Sequence, residues 1–247
     1  MRTITISEQF CGPPTSANGG ITAGLLAQHF GLSSGRSGDP YRGAVEVTLK
    51  APPSLGVAML VEAAPDGLSL LHDEILVATA RPADPLKLPS PPDISYRDAE
   101  AIALHSPVLR DADTHPFPTC FVCGPHRLRG DGLRIFAAQL PGGDAFVAPF
   151  CPTRAQIGPE FAWAAMDCPS SFPMYLDTDP LVGPYVLGRM TAQLHSDLQE
   201  DREYVVAAWR DEVSGRKLMT SVVLYEPRRD DADTVVVGSA RSVWIRL

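Results

Sequence analysis

The chain has 247 residues, 45% hydrophobic and 20% charged, with a formal net charge of -8. That length suits one large domain or two of ordinary size, with ample chain for a core, and the negative charge argues against a nucleic-acid partner. No apolar run reaches the ~18 residues of a membrane helix, and the start Met1-Arg2-Thr3-Ile4-Thr5-Ile6 alternates and lacks the apolar run of a signal peptide. No membrane partner is expected, and a cytoplasmic protein is. Its five cysteines are an odd number for a disulfide framework, so reduced thiols are the expectation.

Thr3 to Gln9 alternates as a first strand. Cys11 to Gly20 is rich in Pro and Gly and predicts a loop, with Asn18 as the N-cap of a helix from Ile21 to about Phe30. Gly24 within that helix costs ~1 kcal/mol relative to Ala, which close contact with another backbone, such as a sheet, would offset. Gly31 to Tyr41 predicts a loop. Strands are expected at Ala44 to Leu49, Val57 to Ala64 and Leu68 to Ala80, with Asp66-Gly67 as a hairpin signal. Five prolines between Arg81 and Asp93 predict an extended linker, and a short helix is expected from Tyr96 to His105. Asp111 to Gly132 is irregular. A hairpin around Gly142-Gly143 follows, then a helix from Glu160 to Met166, then strands at Tyr185 to Leu194, Glu203 to Trp209, Lys217 to Tyr225 and Thr234 to Arg246.

One pattern occurs twice. Phe10-Cys11-Gly12-Pro13 leads through Asn18-Gly19-Gly20 into an apolar helix; Phe150-Cys151-Pro152 leads through Ile157-Gly158-Pro159 into another. The two lie about half a chain apart, beyond the ~20–50-residue period of solenoids, which favours a duplicated domain. Each half reads as a helix followed by an antiparallel meander, an α+β pattern. The expected divisions are 1–82, a linker 83–131 carrying Cys120-x2-Cys123, and 132–247.

Gly12-Pro13-Pro14 followed by Asn18-Gly19-Gly20 at a helix start resembles the loop of hotdog-fold thioesterases, and two such halves resemble a double-hotdog acyl-CoA thioesterase. Phe117-Pro118-Thr119-Cys120-Phe121-Val122-Cys123-Gly124 with Asp131-Gly132-Leu133 also resembles an actinobacterial group of such proteins. The resemblance implies two tandem hotdog halves, each an antiparallel sheet wrapped around a central helix, that bind and hydrolyse an acyl-CoA or similar thioester. It requires no dissociable cofactor and makes a homodimer optional. Many relatives carry His in this loop; here Asn18 stands in its place.

Thioester hydrolysis needs donors for a developing oxyanion and a group that attacks or activates water. The unpaired N–H groups of a helix start supply the first, and Gly19 and Gly20 permit close approach. Asn18 either caps the helix or bonds the substrate carbonyl. Asp167 is the candidate for the second role, as general base or as nucleophile. It ends an apolar helix, seven residues after Glu160 on nearly one face and one turn after Trp163. Glu160 and Trp163 are the candidate substrate contacts. The resemblance implies that Asp167 faces Gly19 and Gly20 across the seam. The mirror site would offer Gly158, Pro159 and Gln28, and neither Pro159 nor Gln28 can do the corresponding chemistry.

Three other readings stand beside this one. A non-catalytic protein for acyl or other hydrophobic small molecules would use the same fold. A dehydratase would want a His near the loop. The ligand types His115, Cys120, Cys123 and His126 suit zinc, but their spacing is not that of a finger; without a metal they read as a turn with packed thiols. Scattered cations at Lys87, Arg127, Arg129 and Arg134 could meet coenzyme A phosphates or solvate a surface.

Overall fold

The structure, a computed structural model, describes residues 2–33, 42–176, 183–228 and 233–247. Strands β1 (Arg2–Thr5), β2 (Ala44–Leu49), β3 (Ala58–Ala64), β4 (Gly67–His72) and β5 (Ile75–Ala83) accompany helix α1 (Gly19–Ser33). After α2 (Tyr96–Ala103) and the short α3 (Pro107–Arg110) come β6 (Ala138–Gln139), β7 (Phe146–Phe150), α4 (Pro159–Asp167), β8 (Tyr185–Leu194), β9 (Tyr204–Ser214), β10 (Lys217–Glu226) and β11 (Val235–Arg246). Among the described residues the strands form one antiparallel sheet in the order β1-β3-β4-β5-β2-β8-β11-β10-β9-β7-β6. The join is β2 against β8, from Val45 opposite Ala192 to Thr48 opposite Arg189.

Most predicted elements stand near their expected places, and the differences have local causes. The run Leu68 to Ala80 is two strands, because Asp73 takes a left-handed backbone (φ 52°) and His72 pairs with Ile75 across a tight turn. The first strand stops at Thr5, where Ser7 starts a 3-10 turn over Glu8–Phe10 by accepting the Gln9 N–H. Helix α1 continues past Gly31, and the rest of the expected loop lies outside the described residues. At Asp66-Gly67 only glycine fits: its φ is +156°, and a Cβ there would stand 2.0 Å from Ala80 O.

The alternation of β7 and β9 gives the sheet two covered faces. Phe146, Ala148 and Phe150 with Tyr204, Val206 and Ala208 join the main core around α1 and α4. Ala145, Val147, Val205 and Ala207 point the other way, under Ala99 of α2 and the linker residues Leu88 and Ile94. The proline-rich linker therefore seals apolar surface, and Tyr225 Oη anchors it by donating to Pro92 O at 3.1 Å. Ser95 and Asp98 form a capping box that starts α2.

Helices α1 and α4 pack side by side in opposite directions. A Cβ on Gly20 would lie 2.6 Å from Asp167 Cβ and 2.8 Å from Ala164 Cα; one on Gly24 would lie 2.6 Å from Glu160 Cα. The backbone that requires Gly24 is thus another helix, not a sheet. This approach leaves α4 buried from Phe161 through Asp167 and brings an acid at its last turn onto the first turn of α1.

Candidate active site

Asn18 acts in two directions. Its Oδ1 accepts the Ile21 N–H at 2.9 Å, which caps α1, and its Nδ2 donates to Asp167 Oδ2 at 2.8 Å. The Gly20 N–H also donates to Asp167 Oδ2, at 3.0 Å. The residues are 2% and 1% exposed, so this contact is dry. Asp167 Oδ1 is buried with no hydrogen-bond partner among the described residues. Burial pushes the Asp167 carboxyl up to about 7, while the Gly20 N–H opposes the shift. The backbone below is fixed by Ser170, whose Oγ donates to Asp167 O at 2.7 Å and accepts Trp244 Nε1–H at 2.9 Å.

These groups border a cavity of about 500 Å³. Asn18, Gly19, Asp167 and Cys168 line it together with apolar walls that include Leu49, Phe172 and Leu187, and Lys50 stands exposed among the lining residues. The Gly19 N–H has no hydrogen-bond partner among the described residues. The Gly20 N–H, expected to be open to a ligand, is instead engaged by the acid.

The structure brings Asn18, Gly19, Gly20 and Asp167 together, residues nearly 150 positions apart whose meeting only the resemblance implied. It does not bring Glu160 or Trp163 to this cavity. Glu160 Oε2 accepts Gln28 Nε2 at 2.8 Å, and Trp163 is packed against Gly24 at 3% exposure. Both side chains are occupied in fastening the two helices. Arg127 and Arg134 are likewise already engaged: Arg127 bonds Thr119 O and Asp131 in its own loop and Gln9 O ahead of α1, and Arg134 bonds Pro125 O. Lys50 was missed because a single lysine after a strand carries no sequence signal.

The segment with the two cysteines packs its thiols into the core, as its reading as a turn with packed thiols expected. Cys120, Phe121, Val122 and Cys123 are buried in the main core, and Phe121 N donates to Cys11 O at 2.7 Å. His115 lines the cavity, with Nδ1 accepting the Phe117 N–H at 3.0 Å and Nε2 3.5 Å from Cys123 Sγ. His126 is elsewhere, half exposed and 3.3 Å from Asp113.

Neither a protein-family model nor a curated protein sequence matches the chain. Solved structures do resemble it. A conserved protein of unknown function with a hotdog fold from Alicyclobacillus acidocaldarius aligns over 99% of this chain and 92% of its own, at TM-score 0.61 and 13% identity. A protein provisionally named a thioesterase II from Thermobifida fusca aligns over 99% and 91%, at TM-score 0.61 and 13% identity. A variant of the GphF dehydratase aligns over 99% and 92%, at TM-score 0.59 and 13% identity. Shared fold at such low identity leaves the chemistry to the site. Along nearly its whole length, the chain has the hotdog fold.

Proposed function

We propose that the chain is two tandem hotdog halves, 1–82 and 132–247, joined through 83–131, and that it hydrolyses an acyl thioester. The carrying observation is Asp167: one carboxylate oxygen is clamped by Gly20 N–H and Asn18 Nδ2, and the other is unpartnered beside a largely apolar cavity. A clamped acid has one orientation and one free oxygen to offer. In this reading the acyl chain lies between the apolar walls and the thioester carbonyl points at the Gly19 N–H at the positive end of α1. Asp167 takes a proton from water as the water oxygen attacks the carbonyl carbon. The tetrahedral adduct then expels the thiolate, which takes that proton back from Asp167, so acid and thiol leave and the site is restored. Exposed Lys50 is placed to meet the phosphates of a coenzyme A handle. The thioesterase name on one structural neighbour is consistent with this reaction.

The dehydratase neighbour raises a second enzyme class. His115 is the imidazole in the cavity, and both its nitrogens are already engaged, which favours hydrolysis. A second reading is an acyl-ligand binding protein that does no chemistry. It is favoured by the Gly20 N–H, which holds the acid in place of a substrate oxygen.

A panel of acyl-CoA substrates of increasing chain length separates the two. Hydrolysis predicts thiol release above the uncatalysed rate for at least one chain length. Saturable binding by calorimetry with no thiol release across the panel would establish the binding protein instead.

A further inference from the structure

Three cysteines from two distant stretches meet beside the acid. Cys120 and Cys123 come from the buried loop, and Cys168 directly follows α4. Their Sγ atoms all lie within 4.8 Å of one another, and those of Cys120 and Cys168 are 3.6 Å apart. Three thiolates sharing one tetrahedral zinc at about 2.3 Å are separated by about 3.8 Å, so the spacing fits a common metal. It does not fit a disulfide, whose sulfurs are about 2.0 Å apart.

Polar groups surround the cluster, and Cys168 Sγ lies 3.9 Å from Asp167 Oδ2. His115 Nδ1 accepts the Phe117 N–H, which leaves the ring proton on Nε2, 3.5 Å from Cys123 Sγ. Asn18 Nδ2 lies 3.7 Å from Cys168 Sγ. Cys123 and Cys168 thus each have a nitrogen donor beside the sulfur, as metal-bound thiolates do. Three neutral thiols packed in an apolar core need no such donors.

We propose that Cys120, Cys123 and Cys168 bind one soft divalent ion of the zinc class as thiolates. His115 is the outer hydrogen-bond partner of Cys123, and the fourth position faces the cavity that all three cysteines line. Binding exchanges three S–H bonds for three S–metal bonds and releases three protons to solvent. The ion fastens the core loop 117–124 to the end of α4. This site differs from the sequence-level set: His126 is not in it, and Cys168 is.

The test uses the full chain purified from zinc-supplemented growth. About one zinc per chain is expected by mass spectrometry, and cobalt substitution should give thiolate-to-metal charge-transfer absorption. Cys168→Ser should lower the content to below about a tenth of an ion, while Cys151→Ser, which alters an exposed cysteine outside the cluster, should retain it. If Cys168→Ser does not fold, the wild-type cobalt spectrum and alkylation decide. Chelation should then expose Cys120, Cys123 and Cys168 to alkylation, with Cys151 reactive throughout. Wild-type chain that takes up less than about a tenth of an ion and gives no charge-transfer band overturns the site. So does an equal loss in Cys151→Ser. None of these readouts is activity, so this site and the hydrolase reading fail separately.

Discussion

Asn18 illustrates how one small side chain serves both stability and the site. Its oxygen caps α1 and its nitrogen holds Asp167. Capping alone would be satisfied equally by aspartate. Asn18→Asp keeps the cap oxygen but sets a second carboxylate against the first in a dry pocket, so it is expected to lower stability by several kcal/mol at neutral pH. An unchanged urea midpoint would reduce Asn18 to a plain cap. Lys50 carries a separate prediction. Lys50→Glu should raise KM for acyl-CoA about tenfold and leave KM for a short thioester lacking phosphates unchanged. Equal effects on both substrates would remove Lys50 from the binding of the handle. The cap was legible in sequence because it is local. The partner of its amide was not, because it comes from the other end of the chain; only family resemblance pointed across that gap.

At the scale of elements, the seam between α1 and α4 is set by two glycines. On an exposed helix Gly24→Ala would gain ~1 kcal/mol of propensity. Here the added methyl meets Glu160 Cα at 2.6 Å, and overpacking of this kind costs about 1–3 kcal/mol. A net loss in urea midpoint is expected, and a gain would mean that the helices are free to separate. Gln28 lies at the far end of the same seam, bonded to Glu160. Gln28→Ala should leave hydrolysis within about twofold of wild type, since an amide removed from the cavity loses only packing and one hydrogen bond. A large drop in kcat would relocate the chemistry to the mirror position. Sequence pattern predicted the helices, and Gly24 announced a close contact. It could not say whether helix or sheet supplied the contact, because glycine records the distance of approach and not the identity of what approaches.

The molecule as a whole folds around one sheet and a main core that draws on both ends of the chain, from Ile4 to Trp244. The strand join is reinforced by Glu46 on β2, which meets Arg81 on β5 at 2.8 Å and approaches Arg189 on β8 at 3.6 Å. Calorimetry should therefore record a single cooperative unfolding transition; two resolved transitions would mean that the expected halves are thermodynamically separate. The strands were legible in their period, and the duplicated loop-helix pattern hinted at the arrangement. The proline-rich linker and the cysteine loop were legible as irregular chain, but what they cover was not, since irregular segments have no period to betray it. One carboxylate carries the proposed hydrolysis, and the most direct test is Asp167→Asn measured on the preferred acyl-CoA, with ligand binding followed in parallel. The prediction is a fall in kcat of about 10²-fold or more with binding retained. Turnover within a few-fold of wild type in a variant that still binds would contradict it.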